Sequence, residues 1–98
     1  MKAHEFLSEA ARLVAGDREK THGDKLINHS NIADLWTGWL RARGLIARDD
    51  AVTAHDVAMM MALLKTARTL TGKHNPDDYV DGGAYIAIAG EIAERTPR

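Results

Sequence analysis

The stretch Thr53-Ala54-His55-Asp56-Val57-Ala58-Met59-Met60-Met61-Ala62-Leu63-Leu64-Lys65-Thr66-Ala67-Arg68-Thr69-Leu70-Thr71-Gly72 decides the fold. Its spacing predicts one helix. The Thr53 hydroxyl can cap the first turn, Asp56 sits near the positive end of the helix dipole, and Gly72 can close the last turn in a left-handed conformation. At about 100° per residue, Val57, Met60, Met61 and Leu64 line one side, and Met59, Leu63 and Leu70 the opposite one. A helix apolar on two sides is central to its fold or sits at a subunit contact. Arg68 projects from the middle of the first apolar side with Lys65 on its border, and cations in a hydrophobic seam need partners.

Downstream, Asn75-Pro76-Asp77-Asp78 is a helix start, with Asn75 as cap, Pro76 at the first helical position and acids in the first turn. This helix should run to about Glu94. Asp78, Asp81 and Tyr85 share a face with Ile88, Ala89 and Ile92, so the side that is apolar late is acidic and phenolic early. Gly82 and Gly83 each weaken the helix by roughly 1 kcal/mol relative to alanine, a cost accepted where another backbone or a flat ligand approaches.

Upstream, Ile32, Leu35, Trp36, Trp39 and Leu40 form an apolar stripe on a helix from about Lys25 to Arg43, closed by Gly44. Extending the stripe backward puts Asn28, and less centrally His29, on its core-facing side. Phe6, Leu7, Ala10, Leu13 and Val14 mark a further helix from Ala3 to Ala15, with Gly16 as its stop. Between these two helices, Asp17 to Asp24 contains no apolar residue and reads as a connection dense in side chains that can do chemistry. No strand signals, repeats or low-complexity tracts are present.

A length of 98 residues fits a single all-α domain with one core. Thirteen basic and fourteen acidic residues leave a net charge of −1, which gives no general drive toward nucleic acid. The absence of cysteine rules out disulfides and thiolate zinc sites. No segment approaches the roughly 20 apolar residues of a membrane span, and the N-terminus lacks an apolar signal core. A soluble cytoplasmic protein is expected.

Four helices with short or moderate connections most simply form an up-down-up-down bundle. In an antiparallel hairpin turning at Lys73 to Asn75, residues equidistant from the turn face each other. Arg68 then meets the level of Asp78, and Lys65 that of Asp81. On the same topology the first connection returns to this end, bringing Asp17, His22, Asp24, Asn28 and His29 alongside. Two readings follow. The charges can form a buried structural network, whose disruption typically costs about 3 to 5 kcal/mol. Alternatively, the surplus of convergent polar groups is a ligand pocket. In the second case Asp78 and Asp81, at i and i+3, can present oxygens to Mg²⁺ or Mn²⁺, with Asp17 or Asp24 adding ligands. Arg68 and Lys65 can hold phosphates, and Tyr85 can stack a base. His22 and His29 can bind a ligand or carry a proton, although their spacing fits no standard zinc pattern. The second side of the third helix, with Val80, Ala84 and Ala87 on the outer side of the fourth, argues for a homodimer.

The ordered set Gly16-Asp17-Arg18, His22-Gly23-Asp24, Asn28-His29, Ile32-Ala33 with Trp36, Asp56-Val57-Ala58 with Met60, Leu64-Lys65, Ala67-Arg68 and Asp78-Tyr79-Val80-Asp81 with Tyr85 resembles a family of small uncharacterised phage and prophage proteins. More distantly, it is similar to phage domains associated with nucleotide modification and to the all-α MazG-like nucleoside triphosphate pyrophosphohydrolases. The latter hold Mg²⁺ on four carboxylates and assemble as dimers or tetramers. Only their second acidic pair has a counterpart here, in Asp78 and Asp81, while Lys65 and Arg68 stand where the first would be sought. The resemblance implies a nucleotide-handling protein of the host cytoplasm. On this expectation nucleotide would bind Lys65, Arg68, Tyr85, His22, Asn28 and His29, Mg²⁺ would bind Asp78, Asp81 and Asp17, and Asp24 and Asp81 would serve any hydrolysis. The competing expectation is a non-enzymatic phage accessory protein that binds a host or phage protein through its helical faces. Sequence-specific DNA binding ranks third, because about ten residues between the second and third helices are long for a helix-turn-helix.

Overall fold

Local capping chemistry sets three of the four helix starts in the computed structural model, which describes residues 1–16 and 24–96. Helix α1 spans Ala3–Ala15, α2 Lys25–Ala42, α3 Ala54–Arg68 and α4 Pro76–Arg95. Asp24 accepts from the backbone N–H groups of Leu26 and Ile27 at the start of α2, and Asn75 accepts from that of Asp77 at the start of α4. At the start of α3, Asp56 donates its backbone N–H to the Thr53 hydroxyl, and the Asp56 carboxylate accepts from the Thr53 N–H. This is a reciprocal capping box. Helix α2 ends in a Schellman turn: Gly44 takes φ +69°, the Leu45 N–H reaches the Leu40 carbonyl and the Gly44 N–H reaches that of Arg41. Helix α3 stops at Arg68, one turn short of the expected limit, and Gly72 takes its left-handed φ of +75° inside the turn that follows. Gly16 ends α1 for a different reason: a Cβ there would stand 2.7 Å from the Arg12 carbonyl oxygen.

The all-α helical bundle is as expected, and no strand occurs among the described residues. Helices α3 and α4 form an antiparallel hairpin. Helix α1 packs on α4 and α2 mainly on α3, whereas α1 and α2 have no close backbone approach among the described residues. Helix α1 starts beside the start of α4: Phe6 meets Tyr79 edge-on, Ala10 packs with Val80 and Ala84, and Val14 reaches the Ala58, Ile88, Ala89 and Ile92 cluster. It therefore runs in the same direction as α4 and ends toward the hairpin's open end. Helix α2 begins at that open end, where Asp24 meets Arg95 and Lys25 faces Glu91.

Among the described residues, six of the ten buried apolar ones are alanines (Ala10, Ala33, Ala58, Ala62, Ala84, Ala89), so the helices approach closely and little large side-chain volume lies between them. Larger residues are pushed outward. On α3 the buried face is Val57, Ala58 and Ala62, and Met60 and Leu64, expected inside, are 43% and 45% exposed. On α2 the buried face is His29, Ala33 and Thr37, while Leu35 and Trp39 of the expected stripe stand 75% and 66% exposed. The expected outer face of α4 also turns inward, because α1 covers Val80 and Ala84. Close helix contact selects the smallest side chains, whereas hydrophobicity alone selects the largest.

Candidate functional site

The hairpin brings together the four charged residues that equidistance from its turn pairs. Lys65 Nζ lies 3.0 Å from an Asp81 carboxylate oxygen, with both side chains about four-fifths buried. Arg68 Nε lies 3.5 Å from Asp78 Oδ1; that carboxylate is buried, whereas the arginine side chain is 59% exposed. Asp78 also gains from its place in the first turn of α4, near the positive end of the helix dipole. Each acid thus faces one cation, and the two pairs tie the helices together across adjacent turns. Beside them, Met59, Leu63, Thr66 and Ile86 flank a mainly apolar groove of about 260 Å³, with Gly82 and Gly83 at its floor.

The remaining expected members of the site do not converge here. Asp24 occupies the other end of α4, where Arg95 Nη1 and Nη2 donate to its two carboxylate oxygens at 3.2 and 3.1 Å. Seventeen residues of α4 separate Arg95 from Asp78, about 25 Å at 1.5 Å per residue. The expectation that the first connection returns to the hairpin turn is therefore corrected, and the physical reason is the direction of α1. Its small-residue face docks on Val80 and Ala84 with its own start at the start of α4, which carries its end to the opposite pole. Asp17 and His22 lie outside the described residues.

His29 is core-facing, as expected. It is buried, its Nδ1 lies 2.8 Å from the Lys25 carbonyl oxygen, and its ring stands edge-on to Tyr85 with centroids 6.4 Å apart. Tyr85 packs on the Ala58 and Ile88 cluster, so this pair belongs to the interior between α2 and α4. Asn28 is half-buried beside it.

Three features were not anticipated. The Thr37 hydroxyl accepts from the Val52 N–H at 2.9 Å and lies 3.3 Å from the Val52 carbonyl, anchoring the second connection to α2. A hydroxyl flanked by apolar residues was its sequence signal. Arg95 holds Asp24, and its position just beyond the expected helix end concealed it. His74, exposed in the hairpin turn, joins Phe6 around Tyr79.

The Arg95 hydrogen bonds, and secondarily those from the Ile27 and Leu26 backbone, hold the Asp24 carboxyl below its ordinary range. A lowered folded-state value means that this contribution to stability is complete above the unfolded carboxylate value of about 4, and is lost as pH falls through the lower folded value. Asp24→Asn, which keeps an oxygen for the cap, should remove that acid-range dependence and lower the melting temperature less than Asp24→Ala. Thermal unfolding between about pH 2 and 7 checks both.

Among the described residues, no group of three or more His, Asp or Glu is placed to hold a metal ion, and no helix is long and apolar enough to cross a membrane. The profile of a domain of unknown function, DUF6378, matches residues 5–93. The chain is 35% identical over 97 residues to the Gene 55 protein of Mycobacterium phage L5, covering 95% of this chain and 58% of that protein. It is 32% identical over 89 residues to the Gene 55 protein of Mycobacterium phage D29, covering 91% and 54% respectively. The chain thus spans little more than half the length of these relatives. No solved structure matches it.

Proposed function

This chain belongs to the DUF6378 family of phage proteins, and from that premise we propose that it is an accessory interaction module, binding a host or phage protein through the exposed apolar face of α2. The observation that carries this reading is the inversion of side-chain size, with alanines filling the interior while Leu35 and Trp39 stand in solvent one helical turn apart. An exposed tryptophan beside an exposed leucine has the character of an interface anchor. The charge pairs of the hairpin serve the fold in this reading. In a pull-down from phage-infected host cells, a bound protein should be lost with Trp39→Ala and Leu35→Ala and retained when Lys65→Met and Asp81→Leu are combined. Retention after the Trp39 and Leu35 changes, or no bound protein at all, would sink the proposal.

One observation favours nucleotide handling as a second reading. Arg68 comes no nearer to Asp78 than 3.5 Å, through Nε, and its side chain is 59% exposed, which leaves part of the guanidinium open to a phosphate. The described residues supply Mg²⁺ with only Asp78 and Asp81, each already facing a cation, so they do not amount to a metal site and no step is assigned to one. Nucleoside triphosphates, tested with and without Mg²⁺, should raise the melting temperature of the wild type and not of Arg68→Met. Neither a shift nor pyrophosphate release with any of them would end this reading.

A further inference from the structure

We propose that α3 is the interface of a homodimer, packed antiparallel against α3 of a second copy about a two-fold axis between Leu63 and Thr66. This is independent of the partner assigned to α2. The outward side of α3 carries Met59, Met60, Leu63 and Leu64, Leu70 follows in the turn beyond its end, and beside it on α4 stand Tyr79 and Ile86. These seven side chains are 36% to 79% exposed. Together they present on the order of 700 Å², close to the roughly 800 Å² per partner of a stable protein interface. The surface is larger than the usual apolar patch of a monomer, about 300 to 600 Å².

Its charges select a second copy as the occupant. Along α3 itself, exposed Asp56 stands at the start of this side, no acid follows it, Arg68 ends the helix and Lys73 lies in the turn beyond. Such a surface is complementary to itself only when reversed. In the antiparallel packing Leu63 falls opposite Thr66 of the other copy, and Asp56 stands toward the end that holds Arg68 and Lys73 of the other copy. Apolar residues then meet along the centre and opposite charges meet at both rims.

The groove supplies the matching concavity. Internal packing does not demand the glycines at its floor: a Cβ on Gly82 would lie 3.5 Å from Lys65 Cβ, and one on Gly83 3.9 Å from Ala10 Cβ, both ordinary contacts. Bare backbone there lets the methionine and leucine side chains of a second α3 sink between α3 and α4.

Light scattering at tens of micromolar should give twice the mass of one chain. Leu63→Glu puts two carboxylates beside the axis and should raise the dissociation constant about a hundredfold or more, with helicity by circular dichroism unchanged. Because the chain has no cysteine, Leu63→Cys should be cross-linked between copies by a short bismaleimide, whereas Leu35→Cys on exposed α2 should not. Lys73→Glu should weaken the dimer most at low salt. A monomeric wild type, or a dimer that links through Leu35→Cys rather than Leu63→Cys, would overturn the proposal.

Discussion

Ile92→Ala is expected to lower stability by about 3 kcal/mol, the largest effect of any single truncation in this chain. Ile92 is 1% exposed and packs with Ala58, Ile88 and Ala89, with Val14 from α1 and Leu26 from α2 around them. Ala58 and Ala89 beside it are too short to refill the space, so the cavity should persist in large part. In a chain of this size the loss corresponds to a fall in melting temperature of roughly 15 °C. Leu35→Ala, an equally large change in side-chain volume at an exposed site, should leave thermal stability within about 0.5 kcal/mol. If chemical denaturation gave less than about 1 kcal/mol for Ile92→Ala, the meeting point of the four helices would have to lie elsewhere.

The second large effect is expected at the charge pair between Lys65 and Asp81. Lys65→Met alone leaves the Asp81 carboxylate, about four-fifths buried, without its cation, and should cost about 2 to 3 kcal/mol, somewhat less than a fully buried pair because water still reaches both groups. Adding Asp81→Leu removes the stranded charge, and most of that loss should be regained, since two apolar residues of similar volume can replace a buried pair with little net change. A double-mutant cycle measures this coupling directly. If the double variant were as unstable as Lys65→Met, the residues would not be acting as a pair.

These two sites show what was legible in the sequence. Helix starts and stops could be read because Thr53 with Asp56, Asn75 with Pro76, and Gly44 act through bonds to neighbours in the chain. The pairing of Lys65 with Asp81 and of Arg68 with Asp78 was equally readable, because a short turn fixes the register of a hairpin. The direction of α1 was not. Its stripe of Phe6, Ala10, Leu13 and Val14 marks which face is buried and carries no information on which end of α4 that face meets. With that direction misplaced, Asp24 was assigned to the wrong pole, and its actual task of capping α2 and holding Arg95 was missed. The burial of alanines in preference to Met60, Leu64 and Trp39 was hidden for another reason: periodicity ranks residues by hydrophobicity, whereas closely packed helices are limited by size. The same exposed residues then became the features that point to partners.

The acidic residue heading α2 and the charge pairs of the hairpin occupy opposite ends of α4 and form no common site. Spin labels on Ile27→Cys, one turn into α2 and exposed, and on Asp77→Cys, exposed in the first turn of α4, would measure this in a chain free of other cysteines. Pulsed dipolar spectroscopy on samples diluted with unlabelled protein should give a distance of about 25 to 30 Å, from the length of α4 between the two ends. A distance below about 15 Å would instead bring Asp24 to the hairpin turn and restore a single convergent site there.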